Sequence, residues 1–385
     1  MKFIPTILVK YFIRISFFMF SLLPINKCKI TFASYRSEKL EGNLRFIYEE
    51  FNRRNLGFKV DFLFKKYTKS PIGKLNYAVH MLKACHALAT SRFFIIDDFY
   101  FPVYVIKPRN GMDIVQLWHA AGAFKKFGLS TVGKSFGPSR EYLEVVKVHS
   151  NYSKVYVSSK HIVSHYAEAF DMAQDKIYPL GVPRTDYFFK MEKRQEIEKR
   201  FDQLFPKLKG KKRILYAPTF RGGSHNQELY NCPFDIELLR ENIGDNYTLL
   251  IHLHPYMRKG IRLESGLNDF AVHLDNEFTI EELMLLSDIL ITDYSSVIFD
   301  YSLLHRPIAF FSNDLEEYIQ ERDFYYDFKS FIPGPLFDDT QSLADWIKQE
   351  KFDYQRISQF REYFFDILDG QTSKRIVTHL LSNGK

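Results

Sequence analysis

Five short apolar runs in this chain end in side chains that could hold an anion or move a proton. DIVQLW leads to His119, RILYAP to Thr219 and Arg221, and TLLIHL to His254 and Pro255. ILIT leads to Asp293, Ser295 and Ser296, and PIAFF to Ser312 and Asp314. An imidazole near neutral pH accepts a proton from a hydroxyl or, once protonated, balances phosphate charge. Ser295 and Ser296 stand where an apolar strand gives way to a helix-compatible stretch, so hydroxyls and unpaired backbone N–H groups converge there, as an anion requires. Serine and aspartate are also favoured helix caps, worth about 1 kcal/mol. Capping and anion binding are both open at this turn, and the two are compatible. Taken singly, a histidine after a strand usually has a structural role, but five strand ends of compatible chemistry point to proton transfer beside bound phosphate.

Other chemistries lack their motifs. The chain has no GxSxG, no P-loop GxxxxGK[ST] and no GxGxxG, so hydrolase triads, NTPases and simple dinucleotide enzymes have weak support. The adjacent acids of IIDDFY, Asp97 and Asp98, read as a strand-end cap or turn, because a divalent-metal DxD needs an intervening residue. Three cysteines, Cys28, Cys85 and Cys232, form no CxxC and have no histidine spaced to share a metal. A disulfide framework or zinc site is disfavoured, and a reducing compartment is expected. The formal charge of +7 suits an anionic partner: nucleic acid, an acidic membrane face or a phosphate-rich substrate.

To bring such strand ends together the chain needs parallel sheets, in which ligands bind beyond the carboxyl ends of the strands. Short apolar runs do alternate with amphipathic segments: KITFAS (29–34), KVDFLF (59–64), RFFIID (92–97), DIVQLW (113–118) and KVYVSS (154–159), with helix-like stretches at 43–53 and 76–90. Residues 188–213 are strongly charged and read as an exposed helix followed by a Pro/Gly hinge, with a domain boundary near 209–212. A second series follows: RILYAP (213–218), YTLLIHLHP (247–255), FAVHL (270–274), ILITD (289–293) and PIAFF (307–311), with helices at 234–242 and 279–287. With 385 residues there is material for two cores, and two doubly wound α/β domains are the economical architecture.

The N-terminus, MKFIPTILVKYFIRISFFMFSLLPINK, carries Lys10 and Arg14 inside its apolar run and no Ala-x-Ala site after it, which disfavours a secretory signal. Phe3, Ile7, Tyr11, Ile15, Phe18 and Leu22 form a helical stripe, with Lys2, Lys10 and Arg14 off it. This pattern fits a basic amphipathic helix on an anionic membrane surface. A helix packed on the protein's own core is the other reading, and a true span is disfavoured by its charges.

The blocks IIDDFY, QLWHAAGAFKKFG, YPLGVPRTD, ILYAPTFR, IHLHP, SDILITDYSSVIFDY, RPIAFF and FIPGP, in this order, carry a resemblance. From about Lys29 to near its C-terminus the chain resembles the CDP-glycerol glycerophosphotransferase family of teichoic acid synthesis, including the related enzymes that use CDP-ribitol. The resemblance implies two Rossmann-like domains facing a cleft, the glycosyltransferase type B arrangement. Residues 1–28 would be the membrane-surface amphipathic helix and 29–210 the acceptor-side domain. Residues 211–385 would be the CDP-polyol-binding domain, its last helix a candidate to cross back. An acceptor hydroxyl would attack the phosphorus bonded to the polyol, releasing CMP.

Carried over by motif, His119 is the general base or its close support, and His254 stabilises the donor diphosphate. Thr219 and Arg221 line the donor pocket, and Ser295 and Ser296 bind the diphosphate, with Asp293 ordering their turn. Arg184 and Lys125 are candidate cleft contacts. No metal and no cofactor is implied, the CDP-glycerol or CDP-ribitol being a substrate. The implied partners are a polyprenyl-diphosphate-linked acceptor and the membrane surface, without nucleic acid, and the implied location is peripheral, on the cytoplasmic side of the cell membrane.

One block departs from the family: WHG followed by Thr-Pro-Leu-Lys is usual, whereas this chain has WHAAGAFKKFG. Ala120 therefore needs an ordinary φ if it is to replace glycine without strain. A single catalytic unit with almost no N-terminal extension suggests the priming step rather than polymerisation. The rival readings are a nucleotide-sugar glycosyltransferase of the same fold and a non-catalytic protein binding anionic polymer.

Overall fold

The computed structural model describes residues 3–66, 70–134, 136–219, 230–253, 257, 260–274 and 276–382. The chain forms two units, Met1–Asp186 together with Phe365–Lys385, and Tyr187–Phe364. In the first unit β1 (Asn26–Ser34), β2 (Lys59–Phe64), β3 (Ser91–Ile96), β4 (Asp113–Gln116), β5 (Lys154–Tyr156) and β6 (Ile177–Tyr178) make one sheet ordered β2-β1-β3-β4-β5-β6. Every pairing is parallel. Helices must then cover both faces, which is why β3 reads as an unbroken apolar run: Phe93, Phe94, Ile95 and Ile96 are all fully buried.

One layer of that cover comes from two distant parts of the chain. Leu44, Ile47 and Phe51 of helix Gly42–Arg54 share a core with Ile376, Val377 and Leu380 of helix Thr372–Ser382. The C-terminal helix thus belongs to the first unit. Its N-terminus is clasped by the buried Asp186 carboxylate, which accepts from the N–H groups of Thr372 and Ser373, both at 2.8 Å, and from the Ser373 hydroxyl at 2.7 Å. Gly181 has φ +107, and a Cβ there would lie 2.6 Å from Thr372 Cγ2. Much of the GVPRTD block therefore serves to seat this helix.

In the second unit β7 (Lys212–Tyr216), β8 (Tyr247–Ile251), β9 (Ala271–His273), β10 (Ile289–Thr292), β11 (Ile308–Phe311) and β12 (Leu336–Phe337) form a sheet ordered β12-β11-β10-β7-β8-β9. It too is parallel throughout. The boundary expected near 209–212 falls instead at 186/187. Helix Met191–Leu204, expected as an exposed connector, packs on the second unit through Ile197 and Phe201, which are 3% and 0% exposed. The buried Arg213 guanidinium donates to Glu198 at 2.8 Å and Asp202 at 2.9 Å, so the charges that suggested a solvated hinge neutralise one another in place.

Residues before 28 are likewise part of the first unit rather than a separate segment. Helix Ile4–Phe20 buries Ile13, Ser16 and Phe17 and packs on helix Pro71–Thr90. Lys10 and Arg14, expected on its solvated side, donate to the carbonyls of Val145 at 2.5 Å and Val105 at 2.7 Å. Leu8, Ile15, Phe18, Met19 and Leu22 are exposed, each by 60% or more. Among the described residues no helix is long and apolar enough to cross a membrane.

Candidate active site

β4 ends at Gln116, and the chain turns sharply at Trp118, whose φ is +53. A bulky non-glycine residue in this region costs about 1–3 kcal/mol and persists only where its surroundings hold it. Several groups do so here. Gln116, fully buried, accepts from the Trp118 N–H at 2.8 Å, and its own amide donates to the Asp98 carbonyl at 3.0 Å. Asn43, in the first turn of helix Gly42–Arg54, donates to the Trp118 carbonyl at 2.7 Å and accepts from the Arg184 N–H at 2.9 Å. The indole packs against Phe127 and Phe170, each with ring centroids 5.2 Å away.

The consequence is the placement of His119. Its ring lies 4.5 Å from the Trp118 ring, tilted by 32°, and Arg184 donates to its carbonyl at 3.3 Å. Asp98 Oδ2 is 3.2 Å from Nδ1, and the same oxygen accepts from Arg36 at 2.8 Å. Crowding by neighbouring protein lowers the imidazole pKa, and Arg36 and Arg184 add to the depression; Asp98 and a hydrogen bond with the Asp97 backbone pull upward. The side chain keeps 40% of its surface open. At neutral pH it is an uncharged ring facing solvent, which is the state a proton acceptor requires.

The block around it is fixed from further off. Ser158 donates its hydroxyl to the Ala121 carbonyl, and Tyr166 reaches the carbonyls of Ala120 at 3.4 Å and Gly122 at 3.5 Å. The left-handed residue of this turn is Trp118, so Ala120 occupies the family's glycine position without a positive φ. Lys125 is half-buried and belongs to the stretch of chain that leads from β4 to the 3₁₀ turn Gly128–Thr131. Gly128 has φ +57, and a Cβ there would meet the Ala169 carbonyl oxygen at 2.4 Å.

In the second unit β7 and β10 are neighbours, and their ends are joined. Asp293, nearly buried, accepts from the Thr219 N–H at 2.8 Å, and Thr292 donates to the Ala217 carbonyl at 2.7 Å. Tyr294 points inward, stacks on Tyr318 at 3.9 Å and hydrogen-bonds Ser312 and Asp314 at the end of β11. Ser295 and Ser296 then open helix Val297–Ser302. The Ser295 hydroxyl accepts from the Val297 N–H at 3.4 Å, and Ser296, at the cap position and exposed, makes no side-chain cap bond. Capping thus uses little of either hydroxyl.

His119, Arg184 and Lys125 fall in the first unit, and Thr219, Asp293, Ser295 and Ser296 in the second. Arg221 and His254 lie outside the described residues. Sequence reasoning missed Asp98, Arg36 and Asn43 as companions of His119. IIDDFY was the available signal for Asp98, but only the adjacency of β3 and β4 turns it into a partner of the histidine. Among the described residues no group of three or more His, Cys, Asp or Glu side chains could hold a metal ion.

Two parallel α/β units of this kind define a fold that recurs among solved structures. The structure of the wall teichoic acid polymerase TagF superposes with a TM-score of 0.78 at 22% identity, covering 96% of this chain and 93% of that one. A UDP-GlcNAc 2-epimerase from Neisseria meningitidis gives 0.52 at 12% identity, covering 94% of this chain and 100% of that one. Sequence narrows the class: residues 15–382 match the CDP-Glycerol:Poly(glycerophosphate) glycerophosphotransferase family, and the chain belongs to it. The chain is 45% identical to the teichoic acid ribitol-phosphate primase of Bacillus spizizenii, over 94% of this chain and 93% of that protein. It is 29% identical to the teichoic acid glycerol-phosphate primase of Bacillus subtilis, over 96% of each. It is a CDP-polyol phosphotransferase of teichoic acid synthesis, which sets aside the nucleotide-sugar and polymer-binding alternatives.

Proposed function

We propose that the chain is a priming enzyme that transfers ribitol phosphate from CDP-ribitol to a hydroxyl of a polyprenyl-diphosphate-linked acceptor on the cytoplasmic side of the cell membrane, releasing CMP. The observation that carries the choice of donor is the 45% identity to a ribitol-phosphate primase along nearly the whole of both chains, against 29% for a glycerol-phosphate primase. His119 takes the acceptor's proton, a role supported by its neutral, open ring. Ser295 and Ser296 bind the donor diphosphate, supported by hydroxyls that capping leaves largely unused, and Asp293 orders their turn by gripping Thr219. Thr219 and Arg221 line the donor pocket, and His254 steadies the diphosphate. Lys125 and Arg184 serve the acceptor side. The CDP-polyol is a substrate, and the reaction requires no further cofactor.

Membrane attachment through helix Ile4–Phe20 is supported by its exposed large apolar residues. Burying a side chain of that size contributes about 1.5–3 kcal/mol, and confinement to a surface raises the effective concentration of a lipid-linked acceptor.

Incubating the purified protein with CDP-ribitol or CDP-glycerol and an undecaprenyl-diphosphate-linked acceptor, then weighing the product by mass spectrometry, tests the assignment. One ribitol phosphate added per acceptor is expected. Preference for CDP-glycerol, or long ribitol-phosphate chains, would overturn the donor or the priming assignment respectively.

A further inference from the structure

We infer that Asp98 is the positioning carboxylate of the transfer reaction, holding the His119 ring so that Nε2 is the proton acceptor, and that Arg36 fixes Asp98 for this purpose. The inference rests on His119 being the base. Asp98 is 7% exposed, and each of its carboxylate oxygens has a defined task. Oδ1 accepts from the Phe99 N–H at 2.5 Å, which sets the carboxylate plane at the end of β3. Oδ2 faces Arg36 at 2.8 Å and His119 Nδ1 at 3.2 Å.

A carboxylate only accepts, so in the neutral ring the proton belongs on Nδ1 and the lone pair on Nε2. The other contacts of this turn grip the backbone. Gln116 holds the Trp118 N–H, Asn43 the Trp118 carbonyl and Arg184 the His119 carbonyl. The indole restrains the imidazole through its face. Rotation of the ring about its own axis, which decides the nitrogen offered to substrate, falls to two groups at the end of β3: the Asp97 backbone, which hydrogen-bonds the imidazole, and the Asp98 carboxylate, the charged side chain 3.2 Å from Nδ1.

The charge balance gives the carboxylate a second use. As the acceptor oxygen bonds to the phosphorus carrying the polyol, its proton passes to Nε2. The bridging P–O bond to CMP breaks, CMP leaves with the electron pair, and the imidazolium later returns the proton to solvent. That cation forms beside two guanidiniums, Arg36 and Arg184, which both oppose it, and Asp98 is the side chain that favours it. Arg36 adds to the depression that favours the neutral resting ring, and Asp98 lowers the cost of charging it during the reaction. A misdirected tautomer in a comparable Asp-His arrangement costs about 10⁴-fold in kcat.

The tests are kinetics and ¹⁵N NMR on the full chain. Asp98→Asn should lower kcat by about 10²–10⁴-fold while changing the KM for CDP-polyol by less than about threefold. In a His119→Ala background the same substitution should add almost nothing. Arg36→Gln should move the acid limb of the kcat profile to higher pH, since one of the two opposing cations is gone. Histidine-labelled protein should show the His119 signal, assigned by its loss in His119→Ala, as Nδ1-protonated in the wild type and shifted away from that form in Asp98→Asn. Near-normal turnover in His119→Ala would remove the base itself and the reading beneath this inference. An inactive His119→Ala beside an active Asp98→Asn, an equal loss from Asp98→Asn with and without His119, or an unchanged tautomer would overturn Asp98 alone.

Discussion

The turn after β4 and the turn after β10 both end an apolar parallel strand in polar residues, yet they are built in opposite ways. The first is strained and held from a distance: a left-handed Trp118 gripped by Gln116 and Asn43, with Asp98 and Arg184 on the residue that follows. The second contains no residue of positive φ; Asp293 ties it to Thr219, Tyr294 anchors it inward, and Ser296 has helical φ and ψ of −69 and −4. A base must offer one nitrogen in one direction, so its turn is over-determined. An anion needs convergent N–H groups and hydroxyls, which an ordinary helix start supplies. On the roles proposed above, directional chemistry would sit on strain and charge seating on relaxed backbone.

The most severe way to break the contrast is at the first turn. His119→Ala should lower kcat by roughly 10²–10⁴-fold with an unchanged circular-dichroism spectrum; near-wild-type turnover would show that the strained turn serves structure alone. Asn43→Ala removes the partner of both Trp118 and Arg184, and we expect a loss of about 2–3 kcal/mol in urea unfolding, together with a fall in kcat. A stability loss without a change in kcat would separate the strain from the chemistry.

At the second turn the effects should be smaller and of another kind. Ser296→Ala should leave stability within about 0.5 kcal/mol, because no cap bond is lost, while raising the KM for CDP-polyol several-fold. An unchanged KM would return this serine to the surface.

The smallest effect separates the cores behind the turns. His149 packs against Trp118, and burial holds its pKa down to about 4 against an upward pull from Asp98. The unfolded chain takes up that proton near pH 6.5, so between about 6.5 and 4 it binds more protons than the folded state. Stability therefore falls as pH drops through that window. Urea midpoints at pH 7 and pH 5 should show a wild-type loss about 1–2 kcal/mol larger than that of His149→Gln. Equal slopes would show that His149 is solvated.

Much of this was legible in the residues. KVDFLF is β2 to the residue, and the apolar runs before His119 and Asp293 are strands that end three residues before the histidine and one before the aspartate. The two-residue strands β6 and β12 were missed because so short a segment has no period. The charged helix of residues 191–204 misled for a different reason: composition records its charges, but not that Arg213 lies buried between two of them. Helix Ile4–Phe20 shows the same limit, since its stripe was readable but the carbonyl partners of Lys10 and Arg14 come from the distant Val145 and Val105.

By itself the sequence determined the kind of chemistry and its stations: imidazole, hydroxyls and acids at the ends of parallel strands in a doubly wound frame. Those signals are local, carried by periodicity and by residue type. The tertiary structure decided which stations work together. Asp98 meets His119 because β3 and β4 pair, with Ile96 opposite Gln116. Arg36 joins them because β1 lies on the other side of β3, and Trp118 bends left-handed because Asn43, from a helix earlier in the chain, takes its carbonyl. The charges around His119, Asp98 on one side and Arg36 and Arg184 on the other, come from segments remote in sequence, so only the packed molecule could set their balance.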